Sequence, residues 1–234
     1  MKKLVIILFV AVAFFSLTQM AIADQVTYLG GPYRGGLGGG EFTMRPSPPG
    51  GTLFNFLNNY VMGVTRDVPG GGYTNTFQTF CIEWNEHISG GGVYNAVLNT
   101  KAVNGGVGPA GDPISKGTAW LYSQFAAGVL ANYKFLGTEA EREASAGALQ
   151  KAIWFLEDEP YGENNSFVTA AIAAVVGDVK ADAEGAYGVM ALNLYNSDDG
   201  SRAQDVLIKT PEPLTLLLLG LGLLGVAGIR RKLS

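Results

Sequence analysis

Cys81 is the only cysteine in a chain of 234 residues, and its neighbours are of the types that make and guard a reactive bond. It lies in Thr79-Phe80-Cys81-Ile82-Glu83-Trp84, and a glutamine follows 69 positions later in Leu149-Gln150-Lys151-Ala152-Ile153-Trp154. A thiolate attacks an amide carbon held in contact with it, and proximity offsets much of the barrier. Condensation of Cys81 with Gln150 would give an internal thioester, a masked electrophile that an amine or a sugar hydroxyl can open. Such a bond hydrolyses in bulk water, so it needs large side chains around it; Phe80, Trp84 and Trp154 are at hand. With no second cysteine, no internal disulfide competes. The alternative is an inert free cysteine, a residue type that is commonly buried.

Other chemistry is thinner. His87, the only histidine, follows Cys81 by six residues and invites a cysteine hydrolase. On one extended strand that spacing separates the two by about 20 Å, too far for proton transfer unless the chain turns. Glu157-Asp158-Glu159 crowds acid onto a helix C-terminus, where the dipole disfavours it, and Asp198-Asp199 sits in a turn. Neither has the ligand spacing of a known calcium loop, so no metal or other cofactor is expected. The glycine-rich segment 30–40 lacks the Gly-Lys-Ser/Thr ending of a phosphate loop.

These residues need elements to position them. Thr74 to Trp84 reads as a strand, with Phe80, Ile82 and Trp84 on one face and Thr79, Cys81 and Glu83 on the other. Further strands are expected at Gln25–Leu29, Gly40–Met44 and Thr52–Leu57. A pair at Tyr187–Tyr195 and Ala203–Lys209 closes the body. The middle is helical. Ile114–Phe135 has apolar residues at helical spacing, and Ser166–Ala181 reads as a further helix. Between them Thr138 and Glu141 form a capping-box pattern that opens a helix running to Glu157, on which Gln150 and Trp154 are four apart. The fold class is therefore α+β, with β-sandwich-like strands flanking a helical middle.

Both ends carry targeting signals. Met1-Lys2-Lys3, the apolar run Leu4–Phe15 and Ala21-Ile22-Ala23 form a secretory signal peptide over residues 1–23, cleaved after Ala23. At the other end Pro211-Glu212-Pro213 precedes a 16-residue apolar run, Leu214–Ile229, and then Arg230-Arg231-Lys232. As a helix that run rises about 24 Å, a marginal span of the membrane with its cations on the cytoplasmic side. Residues 211–234, in this order, resemble the PEP-CTERM sorting tail of Gram-negative bacteria. The resemblance implies processing by an exosortase, membrane attachment through the C-terminal helix beforehand, and a final place at the cell surface or in an exopolysaccharide and biofilm matrix.

Between the signals lies a body, residues 24–210, with 11 basic and 19 acidic side chains and a formal charge of −8. No basic patch is interleaved with aromatic residues, which argues against nucleic acid as a partner. The aromatic-Cys-apolar strand with a downstream Gln-x-Ala-Ile-Trp is similar to the thioester domains of bacterial surface adhesins. That likeness implies a bond between Cys81 and Gln150, with Ala152, Ile153 and Trp154 matching the rest of the motif; Leu149 stands where that family usually has threonine. It also implies an adhesin-like module, with no turnover enzyme activity, that attaches covalently to a surface amine or hydroxyl. The second reading is a structural protein of the biofilm matrix with an inert Cys81.

Overall fold

The computed structural model describes residues 24–34, 38–47, 76–103 and 111–210. Six strands form one antiparallel sheet: β1 (Asp24–Arg34), β2 (Gly40–Ser47), β3 (Phe77–Thr79), β4 (Val93–Asn99), β7 (Val189–Asn196) and β8 (Val206–Lys209), in the order β3-β2-β1-β4-β7-β8. Two short strands, β5 (Lys101–Ala102) and β6 (Asp112–Pro113), pair apart from it. The edges of the large sheet meet. Just beyond β3, Cys81 bridges Val206 on β8; Leu207 N donates to Phe80 O at 3.1 Å and Ile82 N to Asp205 O at 3.0 Å. The sheet thus closes into a small barrel, which removes the exposed edges that would invite further pairing.

Strand alternation divides the core in two. Val26 and Tyr28, Phe42 and Met44, Leu192 and Leu194, and Val206 and Ile208 pack with Cys81 on one face of the sheet. Phe80, Ile82, Val189, Ala191 and Leu207 face the opposite way, under the helices α1 (Lys116–Ala126), α2 (Glu139–Leu156) and α3 (Ser166–Ala174). Leu121 and Phe125 of α1, Leu149, Ile153 and Leu156 of α2, and Phe167 and Val168 of α3 complete that layer. The α+β class holds. The sandwich-like arrangement does not: the six main described strands make one closed sheet instead of two facing ones, because the chain just beyond β3 joins β8.

Element limits differ from the sequence reading for local reasons. The first helix stops at Ala126 because Gly128 turns left-handed at φ 72° and donates to Phe125 O. The third ends at Ala174, where Val175 is extended and Gly177 has φ 89°. The last strand pair starts at Val189, since Tyr187 occupies a left-handed turn at φ 58°. The strand around Cys81 is broken after Thr79 and continues only as the single bridge. The signal peptide, the strand at Thr52–Leu57 and the C-terminal sorting helix lie outside the described residues. Among the described residues no helix is long and apolar enough to cross a membrane.

Candidate functional site

Helix α2 begins with the capping box read from the sequence: Thr138 Oγ1 accepts from Glu141 N, and Glu141 Oε2 accepts from Thr138 N at 2.8 Å. One turn in, Arg142 is buried and pairs bidentately with buried Glu41 of β2. Its Nη2 lies 2.7 Å from Oε1 and its Nε 3.1 Å from Oε2. The Tyr133 hydroxyl donates to the same carboxylate, and the guanidinium lies 4.4 Å from the centre of the Tyr33 ring. Removing one partner from such a buried pair would leave the other charge unpaired, at about 3–5 kcal/mol. The pair clamps α2 to β2, and two turns further along α2 comes Gln150.

Gln150 sits where the β2–β3 ladder ends. The register runs Met44↔Phe77, Thr43↔Gln78, Phe42↔Thr79, so the next pair in phase would be Gly40 with Cys81. The glutamine amide takes that place. Its Oε1 accepts from Cys81 N at 3.1 Å and from Gly40 N at 3.4 Å, and its Nε2 donates to Cys81 O at 2.9 Å. On the other side of the strand the neighbours of Cys81 pair with β8, so the Cys81 main chain faces Gln150. The side-chain amide is thus held against the residue that carries the thiol. Both residues are buried, Cys81 at 4 % and Gln150 at 1 % exposure.

A cavity of about 300 Å³ opens beside them, lined by Tyr28, Phe42, Cys81, Trp84, Glu86, His87 and Trp154 among others. Trp154 forms a buried wall, and its indole N–H has no partner among the described residues. Trp84 packs against Tyr161 with ring centres 4.9 Å apart. Gly39 lines the cavity as well. A Cβ there would come within 2.6 Å of both Gln150 Cγ and the Trp154 ring, so only glycine fits as these side chains stand. Burial, and then the nearby Glu86 carboxylate, push the Cys81 thiol well above its ordinary range.

Of the three wall residues named from the sequence, Trp84 and Trp154 line this cavity. Phe80 does not: strand alternation turns it to the helix layer, edge-on to Phe125 with ring centres 4.9 Å apart. His87 does share the cavity with Cys81, because the chain bends after β3, but it is exposed. Glu86, Gly39, Gly40 and the Glu41–Arg142 clamp were not legible as site residues. Their signal lies in cross-strand register and close approach, which no local spacing records. Asp199 accepts from Ser201 N at 2.8 Å within its own turn. Among the described residues, one acidic group could hold a metal ion: Glu83, Asp112 and Glu159. Ala21, Ala23, Pro211, Glu212, Pro213, Arg230 and Arg231 lie outside the described residues.

Comparison with known proteins adds one match. Residues 209–232 match the PEP-CTERM protein-sorting motif. No curated protein matches the chain, and no solved structure does. The motif marks an exported protein that passes through the membrane and is sorted by way of an exosortase.

Proposed function

We propose that the exported body is a single-use attachment module whose reactive group is a thioester between Cys81 and Gln150. The reading rests on one observation: the Gln150 amide replaces a strand peptide beside Cys81, with Oε1 accepting from two main-chain N–H groups. In the reaction the Cys81 sulfur attacks Gln150 Cδ, a C–S bond forms and the C–N bond breaks. The amide nitrogen leaves as ammonia, carrying the thiol proton. Negative charge builds on Oε1 during the attack, and the N–H groups of Cys81 and Gly40 are already directed at it. Glu86, which shares the cavity and raises the thiol's pKa, is the nearby group able to relay the proton.

An amine or hydroxyl entering the cavity then attacks the thioester carbonyl. The target becomes covalently joined to Gln150, and the Cys81 thiol is released. The aromatic walls shelter the bond from water until a target arrives. Sorted to the cell surface or the extracellular matrix, such a module fastens the envelope to another surface or to matrix polymer. It acts once per molecule and turns nothing over.

Intact mass tests this reading. Freshly purified at mildly acidic pH, the protein should weigh one ammonia less than its processed sequence, and Cys81 should resist alkylation. Methylamine should restore mass as an adduct on Gln150 and expose the thiol in the same step. Full sequence mass with a thiol that no amine unmasks would decide for a matrix protein in which Gln150 only splices the ladder. The burial of Cys81 at 4 % exposure would then be its whole role.

A further inference from the structure

Next to the thiol, on the far side of Ile82, stands a second cluster that the attachment chemistry does not use. Glu83 is 0 % exposed, and neither of its carboxylate oxygens meets a donor group among the described residues. What they face is acid. One oxygen each from Glu83, Asp112 and Glu159 lie within 4.8 Å of one another, with Asp112 buried as well. No ion pair among the described residues engages the three. Burial, then Glu159, Asp112 and Glu86, push the Glu83 carboxyl well above the usual carboxylate range, and Asp112 rises too through burial, Glu159 and Asp158.

The main chain fixes this arrangement. Gln204 Nε2 donates to Glu83 O at 2.7 Å, Ile82 N to Asp205 O at 3.0 Å, and Trp84 N to Glu159 Oε2 at 3.1 Å. The backbone of Glu83 is therefore held at the barrel seam, with its side chain buried. A buried carboxylate with no donor must be protonated or must coordinate a cation. Three segments far apart in sequence converge their acids here, which a lone protonated glutamate does not require.

We infer that Glu83, Asp112 and Glu159 form a structural calcium site that ties the segment carrying Cys81 to β6 and to the turn after α2. Oxygen atoms that all lie within 4.8 Å of one another can share one ion at calcium's ligand distances of about 2.3–2.6 Å, and calcium accepts an irregular carboxylate set where magnesium demands near-ideal octahedral geometry. The hard oxygen donors suit calcium, and no soft or nitrogen ligand is in the group to favour a transition metal. Since Glu159 also accepts from Trp84 N, the ion would brace the cavity wall next to the thiol. This site stands apart from the thioester and would exist with an inert cysteine.

The test uses the full chain extracted from the envelope in detergent, stripped with a chelator and titrated with calcium chloride. Calorimetry should show about one calcium bound per chain beyond what the variants Glu83→Gln and Asp112→Asn bind. At calcium 100-fold above the Kd, the melting temperature should rise by about 5–10 °C in the wild type and by little in either variant. Magnesium should do markedly less. Two results overturn the site. One is an unchanged melting temperature with Glu83→Gln as stable as wild type, which means a protonated acid. The other is a calcium response that both variants retain, which places binding elsewhere. An equal response to magnesium would remove the calcium assignment.

Discussion

Gln150 is the residue whose replacement separates structure from chemistry. In a Cys81→Ala background no thioester can form, and the main-chain bonds to Gln150 remain, because the Cys81 side chain makes none of them. Adding Gln150→Ala there strands three groups: the N–H and C=O of Cys81, bonded at 3.1 and 2.9 Å, and the N–H of Gly40 at 3.4 Å. A buried polar group left without a partner costs about 1–3 kcal/mol, and the longest bond counts least, so the double variant should lose about 4 kcal/mol relative to Cys81→Ala. For a body of this size that corresponds to a fall in melting temperature of about 8–16 °C. Urea unfolding of the single and double variants measures it. Gln150→Glu supplies a control: protonated, it offers the same carbonyl and a donor toward Cys81 O. Ionised, it would set an oxygen against that carbonyl. Burial raises its folded-state pKa above the unfolded one, so its stability is present in acid and is lost as the pH rises through the folded value. A double variant within about 1 kcal/mol of Cys81→Ala would refute the ladder role, since the stranded groups would then have other partners. Cys81 and Gln150 are therefore unequal: Cys81→Ala should be mild, and Gln150→Ala should not.

Gly39→Ala should destabilise the protein by about 1–3 kcal/mol, because the new methyl meets two buried side chains at 2.6 Å. Unfolding midpoints read this, and a wild-type midpoint would mean the wall is loosely packed. Glu157, fully buried and hydrogen-bonded to Ser115, has its carboxyl pushed up to about 7 by burial. Its folded pKa exceeds the unfolded 4.5, so stability present in acid falls by about 3 kcal/mol as the pH rises to just above 7. Glu157→Gln, which keeps an acceptor for Ser115, should flatten that part of the stability profile, and an unaltered slope would remove Glu157 as its source.

Much of the helical layer was legible because its signals are local. The Thr138–Glu141 capping box stands where the sequence put it, and α2 carries Leu149, Ile153 and Leu156 on its buried face. The alternation through Phe80, Cys81 and Ile82 correctly separated two faces, yet it could not say what covers each. By type and position Phe80 suits a cavity wall, yet it belongs under α1. Strand β4 leaves little trace in the sequence: only Tyr94 and Ala96 are buried along it, too short an alternation among asparagines to stand out. The pairing of Gly40 with Cys81 through a side-chain amide, and the meeting of Glu83 with Asp112 and Glu159, depend on strand register and chain crossings. Those are set by the whole fold and leave no periodic trace.

The bridge from Cys81 to Val206 also governs timing. Its second strand, β8, is the last element of the body and ends at Lys209, just ahead of Pro211-Glu212-Pro213 and the apolar tail. A chain exported N-terminus first has Cys81, Trp84, Gln150 and Trp154 outside before β8 emerges, but the seam behind Cys81 stays open until then. Closing it pairs residues more than a hundred positions apart, a slow step in any folding sequence. The surroundings of Cys81 would therefore be completed only as the sorting motif follows β8 out. The bond proposed above, if made at that point, would mature beside the sorting machinery and spend little time exposed to stray nucleophiles in transit.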